Sequence, residues 1–75
     1  MITSVLLYGY DGCSFCEKAK ELLFSRNYVV DYRDIKALGI KDELLSIFPE
    51  AKTVPQIFMN GVHIGGYTNL VEYLK

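Results

Sequence analysis

The sequence has no block of Lys or Arg. Eight basic residues are spread among nine acidic ones, and the formal net charge is −1. A nucleic-acid partner needs cations gathered on one face, so charge argues against that class. Long hydrophobic runs are also missing. Stretches such as Val5-Leu6-Leu7 fall far short of the ~20 apolar residues of a membrane-spanning helix, so no membrane association is expected. No basic region followed by an apolar stretch and a small-residue cleavage site is visible after Met1. No secretory leader is therefore expected, and the reducing cytoplasm is the expected compartment. Cysteine is scarce, with only Cys13 and Cys16. A bridge between residues this close shuts too small a loop to take much entropy from the unfolded chain, which excludes a disulfide-built scaffold. The pair needs another reason.

The rest describes one small globular unit. The chain has 75 residues, 51% hydrophobic and 23% charged, so it reads as folded, with a single domain expected over residues 1–75. Thr3 to Tyr8 is a short run of β-formers ending at Gly9, and it predicts a buried strand. Residues 13 to about 26 predict a helix, with Cys16, Ala19, Leu22 and Leu23 on one stripe and Glu17, Lys18, Lys20 and Glu21 opposite. Arg26-Asn27 supplies the stop. Tyr28 to Arg33 predicts a second strand. Lys36 to Phe48 reads as a helix with Leu44, Leu45, Ile47 and Phe48 as its apolar side, weakened at its front by Gly39 and ended by Pro49.

Gln56 to Met59 predicts a third strand. Asn60-Gly61 is the strongest short hairpin signal, leading into a fourth strand over Val62 to Ile64. Gly65-Gly66 breaks it, and Thr68 or Asn69 caps a last helix to Leu74, with Asn69 and Glu72 as a capping pair. The order β-α-β-α-β-β-α predicts an α/β fold. Its parallel β-α-β start and antiparallel hairpin share a four-stranded mixed sheet flanked by three helices.

Cys13-Ser14-Phe15-Cys16 carries the chemistry. Cys13 sits at the start of the first helix, where N–H groups lack partners and the dipole is positive, so the thiolate is favoured there. Asp11 is a mild counterweight. Cys16 lies one turn on, on the apolar stripe, and should be more buried and less ionised. Cys13 is thus the expected nucleophile and Cys16 the resolving thiol. A zinc site is the competing use of such a pair, but His63 is the only other obvious ligand and leaves the set one short. Thr53-Val54-Pro55 forms a second constellation. Pro55 opens a strand and Val54 must be extended before it. From residue types alone, a trans bond that merely starts the strand is the favoured reading.

Cys13-Ser14-Phe15-Cys16 after strand one, Thr53-Val54-Pro55 before strand three and His63-Ile64-Gly65-Gly66-Tyr67 before the last helix together resemble a glutaredoxin along essentially the whole chain. The resemblance implies a thioredoxin-like fold with a cis Pro55 beside the cysteines. It implies catalysis by Cys13 and Cys16, with glutathione as co-substrate. Phe15, Thr53, Val54, Pro55, Gly66, Tyr67, Thr68 and Asn69 would line the glutathione site. The cysteine backbone of glutathione would pair with Val54. Its γ-glutamyl carboxylate would meet Gly66-Tyr67 and the last helix start, where Thr68 and Asn69 are donors. A helix N-terminus suits a carboxylate.

Departures from the family pattern stand beside this. Ser14-Phe15 replaces Pro-Tyr, adding an N–H and a hydroxyl near Cys13 and removing a tyrosine hydroxyl. Tyr10 stands where many members carry Lys; Lys36, Lys41 and Lys52 are the candidate substitutes, although each reads first as a solvated surface charge. Tyr8, Tyr28 and Tyr32 read as sheet and core residues, and His63 as structural. The implied function is glutathione-dependent reduction of protein disulfides and glutathione mixed disulfides by a monomer. One alternative is a donor to ribonucleotide reductase, itself reduced by thioredoxin reductase. Another, less favoured, is a dimer holding a 2Fe–2S cluster through four thiolates, two of them from glutathione.

Overall fold

The computed structural model describes residues 3–75. Its elements run β1 (Ser4–Gly9), α1 (Ser14–Ser25), β2 (Val29–Asp34), α2 (Ile40–Ile47), β3 (Gln56–Met59), β4 (Val62–Gly65) and α3 (Tyr67–Tyr73). The sheet order is β2-β1-β3-β4. β1 pairs parallel to β2, while β1–β3 and β3–β4 are antiparallel. This is the expected mixed sheet with three helices, a thioredoxin-like α/β fold.

Alternation along β1 divides the core. Val5 and Leu7 face Ala19 and Leu23 of α1 and Leu70 of α3, together with Ile57 and Met59 of β3. Leu6 and Tyr8 point the other way, where Tyr8 and Phe58 pack against Leu44 of α2. Successive strand residues project to opposite faces, so one six-residue strand serves both layers. The Tyr8 hydroxyl donates to Glu43 Oε2 at 2.6 Å, and Arg33 Nη1 reaches Glu43 Oε1 at 3.2 Å. These bonds tie α2 to β1 and β2.

Three expectations need correction. The second helix starts at Ile40, not Lys36. Asp34 Oδ1 accepts from the Lys36 N–H at 2.8 Å, and Gly39 has φ 83°. An Asx-type turn and a left-handed residue thus occupy the segment read as a first turn. Ile47 is 51% exposed rather than on the buried side, because the helix is only eight residues long and presents Leu44 to the sheet. The last helix is capped by Gly66, not by Thr68 or Asn69. Asn69 reaches back so that its Oδ1 accepts from the Gly66 N–H at 3.0 Å. Gly65 (φ 121°) makes room for this, since a Cβ there would stand 2.6 Å from Asn69 Oδ1.

Other expectations hold. Asn27 ends α1 at φ 62°, and Asn60 (φ 51°) with Gly61 (φ 84°) forms the tight turn between β3 and β4. Strand ends differ from expectation by one residue: β1 and β2 are each shifted by one, and β4 extends to Gly65.

Candidate active site

Cys13 is the N-cap of α1, in extended backbone conformation, and its Sγ accepts from the Cys16 N–H at 3.3 Å. That N–H is among those left free at a helix start. The sulfur therefore does the work of a capping oxygen. Cys13 is half-buried, whereas Cys16, one turn later on the apolar stripe, has 0% exposure. Burial, then the hydrogen bond with Cys13, pushes the Cys16 thiol up to about 12, while a backbone hydrogen bond at Tyr10 works the other way. The two sulfurs are thus unequal, as the helix geometry predicted.

Gly9 makes this packing feasible. It is buried at the end of β1, and a Cβ there would stand 2.7 Å from Cys16 Sγ and 3.0 Å from Cys16 Cβ. Only a residue without a side chain lets α1 seat its second cysteine against the sheet.

A groove of about 640 Å³ opens beside Cys13, lined by Tyr10, Phe15, Lys41, Lys52, Thr53 and Val54 among others. The Val54–Pro55 bond is cis, as the resemblance implied and contrary to the reading from residue types alone. Phe15 is 53% exposed, with its ring 5.9 Å from that of Tyr67. Gly66 lies against the same loop, since a Cβ on it would be 3.6 Å from the Pro55 carbonyl oxygen. Cys13, Phe15, Thr53, Val54, Pro55, Gly66 and Tyr67, spread over 55 residues of sequence, therefore meet at one end of the sheet. Thr68 and Asn69 follow on the first turn of α3, with the Asn69 side-chain oxygen already engaged by Gly66.

The lysines separate. Lys36 Nζ lies 4.6 Å from the centre of the Tyr10 ring, while Lys41 and Lys52 line the groove. Gln56 was not singled out from sequence. It is buried and donates to the Thr53 carbonyl at 2.9 Å, and its Oε1 is 2.8 Å from His63 Nε2. A carbonyl only accepts, so the amide nitrogen faces Thr53 and His63 must donate from Nε2. His63 is also stacked on Phe48, ring centres 4.2 Å apart. Its structural reading agrees with this: its bond joins β4 to Gln56 of β3, which in turn holds Thr53 in the loop before Pro55. A polar residue directly after a strand-opening proline was the available signal.

A Cys-x-x-Cys pair opening the first helix of a thioredoxin-like fold, beside a cis-proline loop, defines a thiol–disulfide oxidoreductase. The glutaredoxin family model matches residues 5–64. Glutaredoxin 1 of Escherichia coli K12 is 36% identical over 77 residues, covering 93% of this chain and 91% of that protein. Vibrio cholerae glutaredoxin is 40% identical over 78 residues, covering 95% and 90%. The crystal structure of Francisella tularensis glutaredoxin 1 superposes with a TM-score of 0.81 at 28% identity, over 96% of this chain and 92% of that one. The chain belongs to the glutaredoxin family, whose members are thiol–disulfide oxidoreductases. Among the described residues no helix is long and apolar enough to cross a membrane.

Proposed function

We propose that this enzyme reduces glutathione mixed disulfides and protein disulfides, with glutathione as its electron source. The observation that carries the reading is the inequality of two neighbouring sulfurs, one opening on the groove and one buried behind it. The Cys13 thiolate attacks a substrate disulfide, a bond forms from Cys13 Sγ to one sulfur, and the other leaves as a thiolate. Glutathione then displaces the adduct, or Cys16 does so by closing a Cys13–Cys16 disulfide.

Glutathione is anionic, and Lys41 and Lys52 supply the cations for its glycine carboxylate in place of the lysine absent at Tyr10. Val54 pairs with its cysteine backbone, and the start of α3 receives its γ-glutamyl carboxylate, helped by the dipole. Phe15 and Tyr67 flank the peptide. Protein substrates enter as disulfides presented to Cys13.

A glutathione-coupled turnover assay on the wild type and two variants tests this. Cys13→Ser is expected to abolish turnover of every substrate. Cys16→Ser should keep deglutathionylation and lose reduction of protein disulfides that need both thiols. An active Cys13→Ser variant would overturn the roles. A wild type that turns over only with a flavoprotein reductase and not with glutathione would overturn the electron source.

A further inference from the structure

The Tyr32 hydroxyl is the one buried side-chain oxygen or nitrogen among the described residues with no hydrogen-bond partner. A buried donor left unpaired destabilises a fold, and phenylalanine would fill the same space without that cost. Tyr32 lies on β2 opposite Leu7 of β1, and its ring packs on the core beneath α1. Its hydroxyl borders the same small space as the Cys16 sulfur. A Cβ on Gly9 would stand 3.1 Å from the hydroxyl oxygen and 2.7 Å from Cys16 Sγ. No bond joins the two while Cys16 is a neutral thiol, a weak acceptor.

We propose that Tyr32 is a positioning residue for the resolving thiol, its hydroxyl donating a hydrogen bond to the Cys16 sulfur as that sulfur becomes a thiolate. The inference rests on the dithiol reading above. In the step concerned, Cys16 loses its proton to solvent and its thiolate attacks Cys13 Sγ of the mixed disulfide. The Cys13–substrate S–S bond breaks, and the substrate thiolate leaves and takes a proton. The Cys13–Cys16 disulfide forms, so the protein dithiol is oxidised and the substrate sulfur reduced. Tyr32 keeps its proton throughout. Burial holds its phenol at about 12, with the neighbouring Cys16 the next cause, so it acts as donor and not as base.

The charged and titratable groups around it are few. From α1 come Cys13, Cys16, Glu17 and Lys20, and from the preceding loop Asp11. Lys20 Nζ sits 4.5 Å from the Tyr32 ring centre and pairs with Glu17 at 3.4 Å. The cation thus covers the ring face, and the ring edge carrying the hydroxyl is left to the sulfur.

The test is Tyr32→Phe. The Cys13–glutathione mixed disulfide is preformed, and its decay to the Cys13–Cys16 disulfide is followed by mass spectrometry from pH 6 to 10. Hydrogen bonds to charged groups lie at the strong end of the range, and losing one should leave about tenfold less Cys16 thiolate. The more basic thiolate is a better nucleophile and returns about threefold of this, so decay should slow about threefold. The rising limb of its pH profile should move about half a unit toward alkaline pH. Urea unfolding should show Tyr32→Phe at least as stable as the wild type, since an unpaired hydroxyl has been removed. Decay at the wild-type rate across this pH range overturns the inference. The same substitution in a Cys16→Ser background keeps the result interpretable. With no thiol to assist, it should alter glutathione-driven turnover less than twofold, and a loss there as large as the slowing of decay would refute the assignment to Cys16. If Cys16→Ser itself left protein-disulfide reduction intact, the dithiol reading would fail instead.

Discussion

The protection of Cys16 can be measured apart from any substrate. In a Cys13→Ser variant, Cys16 is the only thiol, and a small aromatic disulfide reports its reaction by absorbance. An ordinary thiol has a pKa of 9.0, and in the fold Cys16 is pushed up to about 12. At pH 8 its thiolate fraction thus falls about 10³-fold relative to the unfolded chain. A more basic thiolate is a better nucleophile, and with a Brønsted coefficient of roughly 0.4–0.5 three units return about 20-fold. Ionisation alone therefore leaves about 50-fold protection. Losing the Cys13 hydrogen bond in this variant removes part of the shift, but burial is the larger cause and remains. A sulfur with 0% exposure must also await an opening motion, which adds protection. The expectation is a native rate at least about 30-fold below that in denaturant, still climbing with pH beyond 9. A native rate within tenfold of the denatured one, or one levelling off below pH 9, would refute the argument. Such a weak nucleophile still resolves a mixed disulfide because its target is held one helical turn away, and proximity substitutes for ionisation.

Gly9→Ala should cost roughly 1–3 kcal/mol by overpacking, because its methyl meets Cys16 on a helix that cannot slide. Urea midpoints check this, and a loss below about 0.5 kcal/mol would contradict it. Tyr8→Phe removes a hydrogen bond to a carboxylate at 2.6 Å and should cost about 1.5–3 kcal/mol at pH 7. The Tyr8 phenol is raised from 10.0 to about 12 by burial first and Glu43 second. Its contribution is therefore full below pH 10 and lost as pH rises toward 12. The deficit of Tyr8→Phe should shrink above pH 10, and an equal deficit at pH 7 and pH 11 would be the contrary result. Replacing Lys41 and Lys52 together with Glu should raise KM for a glutathione mixed disulfide about tenfold with little change in kcat. The difference should narrow in high salt. A KM indifferent to both charge and salt would remove these lysines from recognition.

Much of this protein is legible without its fold. Cys13 and Cys16 are unequal because helix periodicity puts one at the capping position and the other on the apolar stripe, and both are local consequences of a three-residue spacing. The mixed sheet follows from strand order, and the tight turn from Asn60-Gly61. Other features rested on local side-chain and backbone geometry that a periodic pattern does not carry. The front of α2 failed as a helix because Asp34 folds back on Lys36 and Gly39 takes a left-handed conformation, and side-chain competition of that kind has no periodic signal. The α3 cap moved to Gly66 because Asn69 lies within reach only once Gly65 has turned the chain. The isomer of Val54–Pro55 read as trans from residue types alone and is cis, since a proline at a strand start serves either way and only the family resemblance pointed to cis.

The sequence alone determined that two sulfurs of different character sit at a helix start, because that depends on backbone hydrogen bonding within a single turn. The tertiary structure decided what surrounds them: Gly9 bare beneath Cys16, Tyr32 with an unpaired hydroxyl beside it, and Lys41 and Lys52 on the groove while Lys36 covers Tyr10. Those neighbours come from strands and loops tens of residues apart, and only sheet register and helix packing bring them to the same end of the molecule as the two sulfurs.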